Sequence, residues 1–484
     1  MDAKSMLVAA VALTGCLDPE VGTGSGGALD RIAGIVGPPD AYAVRFVATA
    51  STGADRNEAG DVVGTSYRNL ACGPFCLPVQ DPVVWQGGVD RVVLPAVPGF
   101  VGVYPTSIDP TGTVAGLAGF PGTNTVAAVW QPTAQGGYLP VALGTLPNTT
   151  ASYAVGIDDT GRVLGWSTTL SIPPVAAPFL WTETGGMVDL TTLGFPADQP
   201  LFFGPGGMVA TATTVYDVDD PASVVVLNAP PAGYLLGNYP AVVNDAGEQA
   251  RFLVTTGGQN LVYPFRYHPD GTWQQLSPVG TGNLSSYGLS GIDDDGTVTG
   301  TVLGGGQIAF GVDGVFESID PMLSPAYTGA LVGMGVSGAS GDVLGAYQLG
   351  TSTRLVVLEP VSTCASNCAV VDRLVMQAKF VEDPQFPGSC FFNGNMHNLA
   401  RVRLTVTDEA GLPLAGAEVS GRFVDDYWLD EVVVGVTNGN GKVTLSHDGI
   451  CGDGTIAFLV DDVVSGTRTF DRTTGTLSAS KIPN

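Results

Sequence analysis

The chain has 484 residues, which is too long for one hydrophobic core and predicts two or three domains. It contains 68 glycines and 34 prolines, yet 44% of its residues are hydrophobic and only 13% are charged. This composition excludes a disordered chain and is typical of many short strands joined by turns. The net charge of −26 argues against binding to nucleic acids or to an anionic membrane surface. It suits a soluble surface outside the cytoplasm or one that attracts cations, and solubility is the preferred interpretation.

The N-terminus carries a short apolar run at residues 6–13. It is too short to cross a bilayer as a helix and has the size of the hydrophobic region of a signal peptide. Residues 13–16 (Leu-Thr-Gly-Cys) resemble the bacterial lipobox, which is cleaved before a cysteine whose sulfur then takes a diacylglycerol. The resemblance implies a lipoprotein signal peptide over residues 1–16 with lipidation at Cys16, and an ordinary secretory signal is the alternative. Residues 17–29 are rich in glycine and serine and are expected to form a flexible tether.

The next three hundred or so residues repeat one pattern of strand, acidic turn and strand. It is clearest at residues 151–166, where period-two alternation on both sides of Asp-Asp-Thr-Gly predicts a tight hairpin. Equivalent turn glycines are Gly60, Gly112, Gly161, Gly207, Gly247, Gly296 and Gly341. Their spacing of 40 to 52 residues is close to the period of propeller blades. The strand-only content at this period predicts a β-propeller of about seven blades.

A second signature lies between the turns, and it is a strand that ends in an aromatic residue, as at residues 179–181. A leucine-rich strand follows at residues 187–194. Together with the turns, these segments resemble the HAF-type repeat of bacterial extracellular proteins, although the histidine of that family is absent. The resemblance implies an exported, propeller-like protein and no established chemistry. We expect residues 30–360 to form the propeller, with residues 31–36 and 354–359 closing the ring within one blade.

Glycine and aromatic residues have separate expected roles in each repeat. The turn glycine supplies the positive φ angle that a tight turn with a bulge needs. The second glycine, as at Gly116, Gly165 and Gly300, allows two backbones to approach closely. Tryptophan and phenylalanine side chains are expected to fill the space between neighbouring blades.

Aspartates clustered in the turns are candidate calcium ligands, because Ca²⁺ takes several oxygen ligands at one point. The candidates are Asp158, Asp159, Asp293, Asp294 and Asp295. Aspartate is also the usual turn residue because its side chain caps nearby backbone N–H groups. No copy has the alternating spacing of a calcium loop, so turn capping is favoured and no cofactor is expected, with calcium as the alternative.

Cysteine placement indicates an oxidising compartment. Beside Cys16, the remaining six of the seven cysteines form the pairs Cys72–Cys76, Cys364–Cys368 and Cys390–Cys451. One cysteine set aside and three pairs are typical of an exported protein with disulfides. Metal binding through the two C-x-x-x-C pairs is the alternative. We favour disulfides because no histidine lies beside those pairs and the spacing is unusual for zinc.

The repeat stops near residue 360 and a second domain follows. Residues 361–369 are expected to be a cysteine-bridged junction. The segment V-x-D-x-x-G-x-P-x-x-G-A-x-V at residues 406–419 resembles bacterial Ig-like domains of the invasin or carboxypeptidase-regulatory type. The resemblance implies an Ig-like β-sandwich over residues 370–484 and names no ligand. A Cys390–Cys451 bridge within it would add about 2–4 kcal/mol of stability.

The leading functional hypothesis is a lipid-anchored, non-catalytic binding protein of the bacterial cell envelope, at the outer membrane or cell surface. One face of the propeller would bind an envelope or extracellular polysaccharide or protein, because function tends to lie on loops. The Ig-like domain would be a spacer or second contact. No nucleic-acid partner is expected, and the membrane is contacted only through the lipid anchor.

Two alternatives remain. The first is a propeller-type glycoside hydrolase or lyase that works with paired carboxylates, for which the best non-repeated candidates are Asp217, Asp219 and Asp220. Most acidic residues occupy repeated turn positions, no G-x-S-x-G, H-E-x-x-H or P-loop motif occurs, and His268 is interpreted as a turn residue. An enzyme is therefore the less favoured alternative. The second is a purely structural envelope protein that self-associates.

Overall fold

The computed structural model describes the chain in separate stretches. The described residues are 41–49, 51–57, 59–69, 78–87, 90–120, 124–169, 175–204, 206–256, 262–276, 287–292, 296, 298–302, 307–312, 315–318, 323–327, 330–337, 342–349, 352–382, 396–424, 430–450 and 455–483. Within them, 36 β-strands form nine four-stranded sheets, and two short 3-10 helices span Leu190–Leu193 and Pro221–Ser223. No helix in these stretches has the length and apolar character to cross a membrane.

Seven of the nine sheets form a propeller. Their strands, in chain order, are β1 (Ala41–Thr49), β2 (Ser51–Arg56), β3 (Val62–Asn69), β4 (Pro78–Gln86), β5 (Asp90–Val93), β6 (Val103–Ile108), β7 (Val114–Phe120), β8 (Asn124–Pro132), β9 (Tyr138–Gly144), β10 (Ala151–Ile157), β11 (Val163–Thr168), β12 (Ala176–Thr182), β13 (Gly186–Asp189), β14 (Pro200–Phe203), β15 (Met208–Thr211), β16 (Thr214–Asp217), β17 (Val225–Val226), β18 (Tyr234–Val243), β19 (Gln249–Thr255), β20 (Val262–Tyr267), β21 (Trp273–Gln275), β22 (Tyr287–Ile292), β23 (Val298–Val302), β24 (Gln307–Val312), β25 (Val315–Ser318), β26 (Ala330–Ser337), β27 (Val343–Leu349) and β28 (Ser352–Val361). Blades 1 to 6 each take four consecutive strands, from β2–β5 through β22–β25. The all-β prediction with a propeller of about seven blades is confirmed.

Blade 7 closes the ring by combining strands from both ends of the propeller. Its sheet has the order β1-β28-β27-β26, and β1 runs antiparallel to β28 from Ala41 opposite Val361 to Thr49 opposite Arg354. The C-terminal closing strand therefore contains residues 354–359. Its N-terminal partner is β1, and residues 31–36, which the sequence suggested for that place, lie outside the described residues.

Second-strand glycines allow the inner two strands of a blade to lie close together. A Cβ atom added at Gly116 would lie 2.3 Å from the carbonyl oxygen of Tyr104. One added at Gly165 would lie 2.1 Å from Cζ of Phe179 and 2.4 Å from the carbonyl oxygen of Tyr153. Only glycine fits at these two positions, as expected from the repeat.

Aromatic residues at the end of the third strand fill the space between blades. Trp85, Trp130 and Tyr267 are buried, and the indole Nε1 of Trp130 donates to the carbonyl oxygen of Pro95 at 2.8 Å. In blade 3 the fully buried ring is Phe179, two residues before the partly buried tryptophan of that strand. Burial of such large side chains is a main stabilising term for the ring.

The last two sheets pack face to face as a β-sandwich. Their strands are β29 (Cys368–Glu382), β30 (Met396–Thr407), β31 (Glu418–Val424), β32 (Asp430–Val436), β33 (Lys442–Ile450), β34 (Ile456–Val464), β35 (Thr469–Phe470) and β36 (Ser478–Lys481). The sheet orders are β33-β30-β29-β35 and β32-β31-β34-β36. Val402 and Leu404 of the first sheet belong to one hydrophobic cluster with Phe423 and Phe458 of the second.

One of the three predicted disulfides lies within the described residues. Cys364 is bridged to Cys368, the first residue of β29, as predicted. The other cysteines, Cys16, Cys72, Cys76, Cys390 and Cys451, lie outside the described residues. Asn398 of β30 pairs with Ile450 of β33, so the strands that flank the Cys390 and Cys451 segments are neighbours in one sheet.

The sandwich is joined to blade 7 by a shared core and by one arginine. A single hydrophobic cluster includes residues of β1 and β28 as well as residues of the sandwich. Arg472 donates to the carbonyl oxygen of Val44 at 2.9 Å and to the carboxylate of Glu359. The backbone N–H of Leu477 donates to the carbonyl oxygen of Ala326 at 2.8 Å.

We predict that Gly165→Ala destabilises the protein by about 3 kcal/mol, because the new methyl group overlaps backbone as well as a buried ring. Urea unfolding followed by circular dichroism measures this change. The matched control is Gly137→Ala, where the nearest atom lies 3.6 Å from the added Cβ and the change should stay below about 0.5 kcal/mol. Equal effects of the two substitutions would contradict close approach at Gly165.

Candidate functional site

In five of the blades, the inner strand ends in a turn of one common geometry. In each of these turns, the first residue's N–H donates to the carbonyl oxygen of the fifth, and the glycine N–H donates to the carbonyl oxygen of the first. These turns span residues 57–61, 109–113, 158–162, 204–208 and 244–248. Their glycines have φ angles between 78° and 93°, which is the left-handed region that favours glycine. The predicted role of the turn glycines is confirmed for these blades.

In four of these turns, all but the one that begins at Gly204, the first residue also caps the turn with its side chain. Oδ1 of Asp109 accepts hydrogen bonds from the backbone N–H groups of Thr111 and Thr113 at 2.9 and 2.8 Å. Oδ1 of Asp158 accepts in the same way from Thr160 and Arg162 at 3.0 and 2.8 Å. The carboxylates at these positions serve the local backbone, as is typical of aspartate in turns.

Of the five calcium candidates, Asp158 and Asp159 lie within the described residues. Asp158 is fully buried and its second carboxylate oxygen pairs with Nε of Arg162 at 2.6 Å. Asp159, next to it, is half-exposed. The candidates Asp293, Asp294 and Asp295 lie outside the described residues. Within the described stretches, no group of three or more His, Cys, Asp or Glu side chains is placed to hold a metal ion.

From blade 1 to blade 4, the turns of successive blades contact each other and form a surface at one end of the ring. Nδ2 of Asn57 in blade 1 donates to the carbonyl oxygen of Asp109 in blade 2 at 3.0 Å. The backbone N–H of Ile157 in blade 3 donates to Oγ of Ser107 in blade 2 at 2.9 Å. A Cβ built on Gly207 would lie 2.8 Å from Nη2 of Arg162, so the turns of blades 3 and 4 also touch. We call this surface the turn face.

An ion pair near the turns also joins blade 1 to blade 7. Nη2 of Arg56 in blade 1 pairs at 2.8 Å with the carboxylate of Asp342, the residue directly before β27 of blade 7. On the other side of blade 5, the Arg266 guanidinium lies against the turn glycine of blade 6, Gly296. The turn face is therefore held by contacts between blades as well as within them.

The three candidate catalytic aspartates share one loop of blade 4 at the turn face. Oδ1 of Asp217 accepts from the backbone N–H of Asp219 at 2.9 Å, and Oδ1 of Asp220 accepts from that of Ala222 at 2.8 Å. Asp219 is 64% exposed at its side chain and pairs with Nη1 of Arg162, which joins this loop to blade 3. The structure thus brings the three residues together, with two carboxylates capping the loop and the third in an ion pair between blades. Their catalytic role stays a prediction.

Blade 5 adds a titratable cluster that the sequence analysis did not identify. Glu248, the last residue of its turn, accepts from Nη2 of Arg266 with both carboxylate oxygens at 2.8 Å. Its Oε1 lies 2.9 Å from Nδ1 of His268, and its Oε2 accepts from Nδ2 of Asn244 at 3.1 Å. His268 is 27% exposed, so the ring is fixed on one side by a carboxylate and reaches solvent elsewhere. The sequence did contain one signal for this cluster: the last turn residue is Glu in blade 5, whereas the other described copies have Asp, Thr, Arg or Met.

Asp55 is a buried carboxylate that joins blades 1 and 2. A bulge between Gly53 and Asp55 places it two residues before the first turn. Oδ1 accepts from the N–H of Arg56 at 2.8 Å, and Oδ2 accepts from the N–H of Ile108 in blade 2 at 3.0 Å. Burial raises the pKa of Asp55 to about 8, although the two backbone hydrogen bonds and the Arg56 guanidinium act in the opposite direction.

Comparisons with known proteins establish no family. No family model matches the chain, and no curated protein matches its sequence. One similar solved structure is a catalytically inactive virginiamycin B lyase from Staphylococcus aureus with quinupristin, with 11% identity over 66% of this chain and 100% of that chain and a TM-score of 0.38. Another is the exo-β-1,3-galactanase of Phanerochaete chrysosporium with β-1,3-galactotriose, with 8% identity, 90% and 98% coverage and a TM-score of 0.28. At these identities and TM-scores, the two structures do not indicate what the present chain binds or catalyses.

We predict that Asp55 makes the protein less stable as the pH rises from about 5 to about 8. Its folded-state pKa of about 8 lies above the ordinary value of 3.8, so the folded state binds more protons than the unfolded state in this window. Urea unfolding at a series of pH values measures the effect.

The variant Asp55→Asn should remove most of this pH dependence. It should also cost about 1–3 kcal/mol at pH 5, because its amide nitrogen cannot accept one of the two backbone N–H groups. The exposed turn residue Asp270 gives the matched control, and Asp270→Asn should keep the wild-type slope. A wild-type slope in Asp55→Asn would contradict the assignment.

Proposed function

We propose that this protein is a non-catalytic binding protein of the bacterial cell envelope, anchored by a lipid at Cys16, that holds its partner on the turn face. The observation that carries this proposal is the set of contacts that join the turns of neighbouring blades on that face. Such a surface is organised before the partner arrives, which lowers the entropic cost of binding.

The charge of the turn face favours a partner with cationic groups. Asp220, Asp245 and Asp270 are exposed there, whereas the exposed Asp219 is ion-paired with Arg162. Arg162 and Arg266, by contrast, are already ion-paired with carboxylates. The whole chain carries −26 charges, so electrostatic steering also attracts positive partners. An amino-sugar polysaccharide or a basic protein segment of the envelope has this chemistry.

The proposal also includes the families of the two domains. We propose that the propeller repeats are of the HAF type and that the sandwich is an Ig-like domain. The turn glycines and second-strand glycines support the first assignment. The two facing four-stranded sheets support the second. In this account the sandwich, fixed to blade 7 by Arg472, sets the orientation of the turn face relative to the rest of the envelope.

Residues 17–484, purified and passed over beads of chitosan, a cationic polysaccharide, test the proposal. We predict retention at low salt that decreases with rising salt, and no release of soluble sugar. Alginate, an anionic polysaccharide, should retain none of the protein.

The matched variant replaces Asp217, Asp219 and Asp220 by Asn, which preserves the loop caps because Asn caps as well as Asp. It should weaken retention at least about tenfold, by analogy with loss of charged interface contacts. The control Asp372→Asn, exposed on strand β29 of the sandwich, should bind like the wild type. Release of sugar that disappears in the triple variant would instead make this protein an enzyme. Retention unchanged by the triple variant would move the binding site off this loop.

A further inference from the structure

Blade 5 departs from the repeat at the position of the second-strand glycine. Four residues after the turn glycine, blades 1, 2, 3, 6 and 7 have glycine, whereas blade 4 has Thr211 and blade 5 has Arg251. At Gly116 and Gly165, even a single added Cβ atom would overlap the neighbouring strand. An arginine at this position therefore requires a different arrangement of the inner strand of blade 5.

The inner strand of blade 5 is interrupted beside this arginine. In β18, the four residues 237–240 lie opposite the single residue Phe252, immediately before Ala241, which pairs with Arg251. In blades 1 to 4, the inner strand has only one extra residue at this point. A larger bulge moves the backbone aside and makes room for a long side chain. Two departures from the repeat thus occur together, and the second accommodates the first.

Arg251 is fully buried between blades 4 and 5, and no carboxylate among the described residues neutralises it. Its Nη1 donates to Oε1 of Gln249 and its Nη2 donates to the carbonyl oxygen of Thr211 in blade 4, both at a long 3.4 Å. Burial lowers the pKa of Arg251 to about 10, which leaves the guanidinium charged at neutral pH. The buried Arg56 of blade 1, by contrast, pairs with Asp342 at 2.8 Å.

Two buried donors at this place have no acceptor within the part of the chain that the structure describes. They are Nε of Arg251 and Nε2 of Gln249. The amide oxygen of Gln249 already accepts from Arg251, so its nitrogen is the group left to donate. Glu248 lies on the other face of β19 and binds Arg266 and His268 instead. One positive charge and two free N–H donors are the groups that bind an anion.

We propose that Arg251 and Gln249 hold a chloride ion at the interface of blades 4 and 5. A buried guanidinium costs stability unless a counter-charge and a hydrogen-bond acceptor accompany it, and a halide ion supplies both. Stability alone would favour glycine at position 251, as five other blades have it, so this departure from the repeat indicates a bound group. The site lies between blades rather than on the turn face, and the inference is independent of the proposed function.

The net charge of −26 does not exclude an anion at this site. Surface charges act through solvent and are screened beyond about 10 Å at about 0.1 M salt, whereas Arg251 would act on the ion at contact and in a medium of low dielectric constant. Enclosure also limits the size of the ion, because Arg251 has no exposed surface. Chloride can enter by local opening, and a bulky anion such as gluconate is excluded.

Thermal unfolding of the purified chain at pH 7, with sodium gluconate replaced stepwise by sodium chloride at constant ionic strength, tests the proposal. We expect the melting temperature to rise by at least about 2 °C between about 1 and 200 mM chloride, because an ion bound only by the folded state stabilises it. Arg251→Met keeps the length of the side chain without its charge and should abolish the rise. Gln249→Leu should reduce it. The control Arg91→Met, at a 36% exposed side chain paired with Asp81, should respond like the wild type.

Bromide soaked into crystals of the wild-type protein gives a readout that does not depend on the folding of a variant. We expect an anomalous-scattering peak beside Nε of Arg251. A wild-type melting temperature indifferent to chloride would mean that another group of the chain neutralises Arg251, and would overturn the proposal. An equal chloride response in Arg251→Met, or the absence of bromide beside Arg251, would also overturn it. A bromide peak without a chloride response in solution would mean binding at crystal concentration only, with the same consequence.

Discussion

The antiparallel pairing of β1 with β28 is the constraint on which the rest of the molecule depends. Arg45 and Glu359, which lie on these strands, are 314 residues apart in sequence, and their side chains pair at 2.6 Å. The same Glu359 carboxylate accepts from Arg472 of the sandwich. One carboxylate thus connects the start of the propeller, its end and the second domain. Because a propeller without closure has two free blade edges, this pairing turns seven separate sheets into one ring.

Acidic residues have two distinct roles in the ring. Inside the ring and in the turns, Asp55, Asp109 and Asp158 accept backbone hydrogen bonds and join or cap strands. On the surface, carboxylates such as Asp220 and Asp270 face solvent and give the turn face its charge. The acidic composition therefore includes buried carboxylates with a structural role as well as exposed ones. The buried carboxylates maintain the geometry of the turns that carry the exposed ones.

The repeat made the propeller predictable, because turn glycines and aromatic strand ends report local geometry that recurs in most of the described blades. Other features depend on tertiary placement, and so the sequence pattern did not reveal them. Asp55 lies two residues before a turn in the sequence, but a bulge in β2 directs its side chain into the interface of two blades. Glu248 and His268 are 20 residues apart and meet only because two turns of blade 5 are adjacent.

Native-state hydrogen exchange of the closing strands tests the central claim most directly. If β1 completes blade 7, its amides that bond to β28 should exchange as slowly as those that join β28 to β27, because all three strands then open only with the whole ring. Mass spectrometry of peptides covering residues 41–49 and 352–361 measures both. Equal protection is the predicted result. Exchange of β1 that is orders of magnitude faster than that of β28 would mean a frayed terminal strand and an open ring, and would contradict this account.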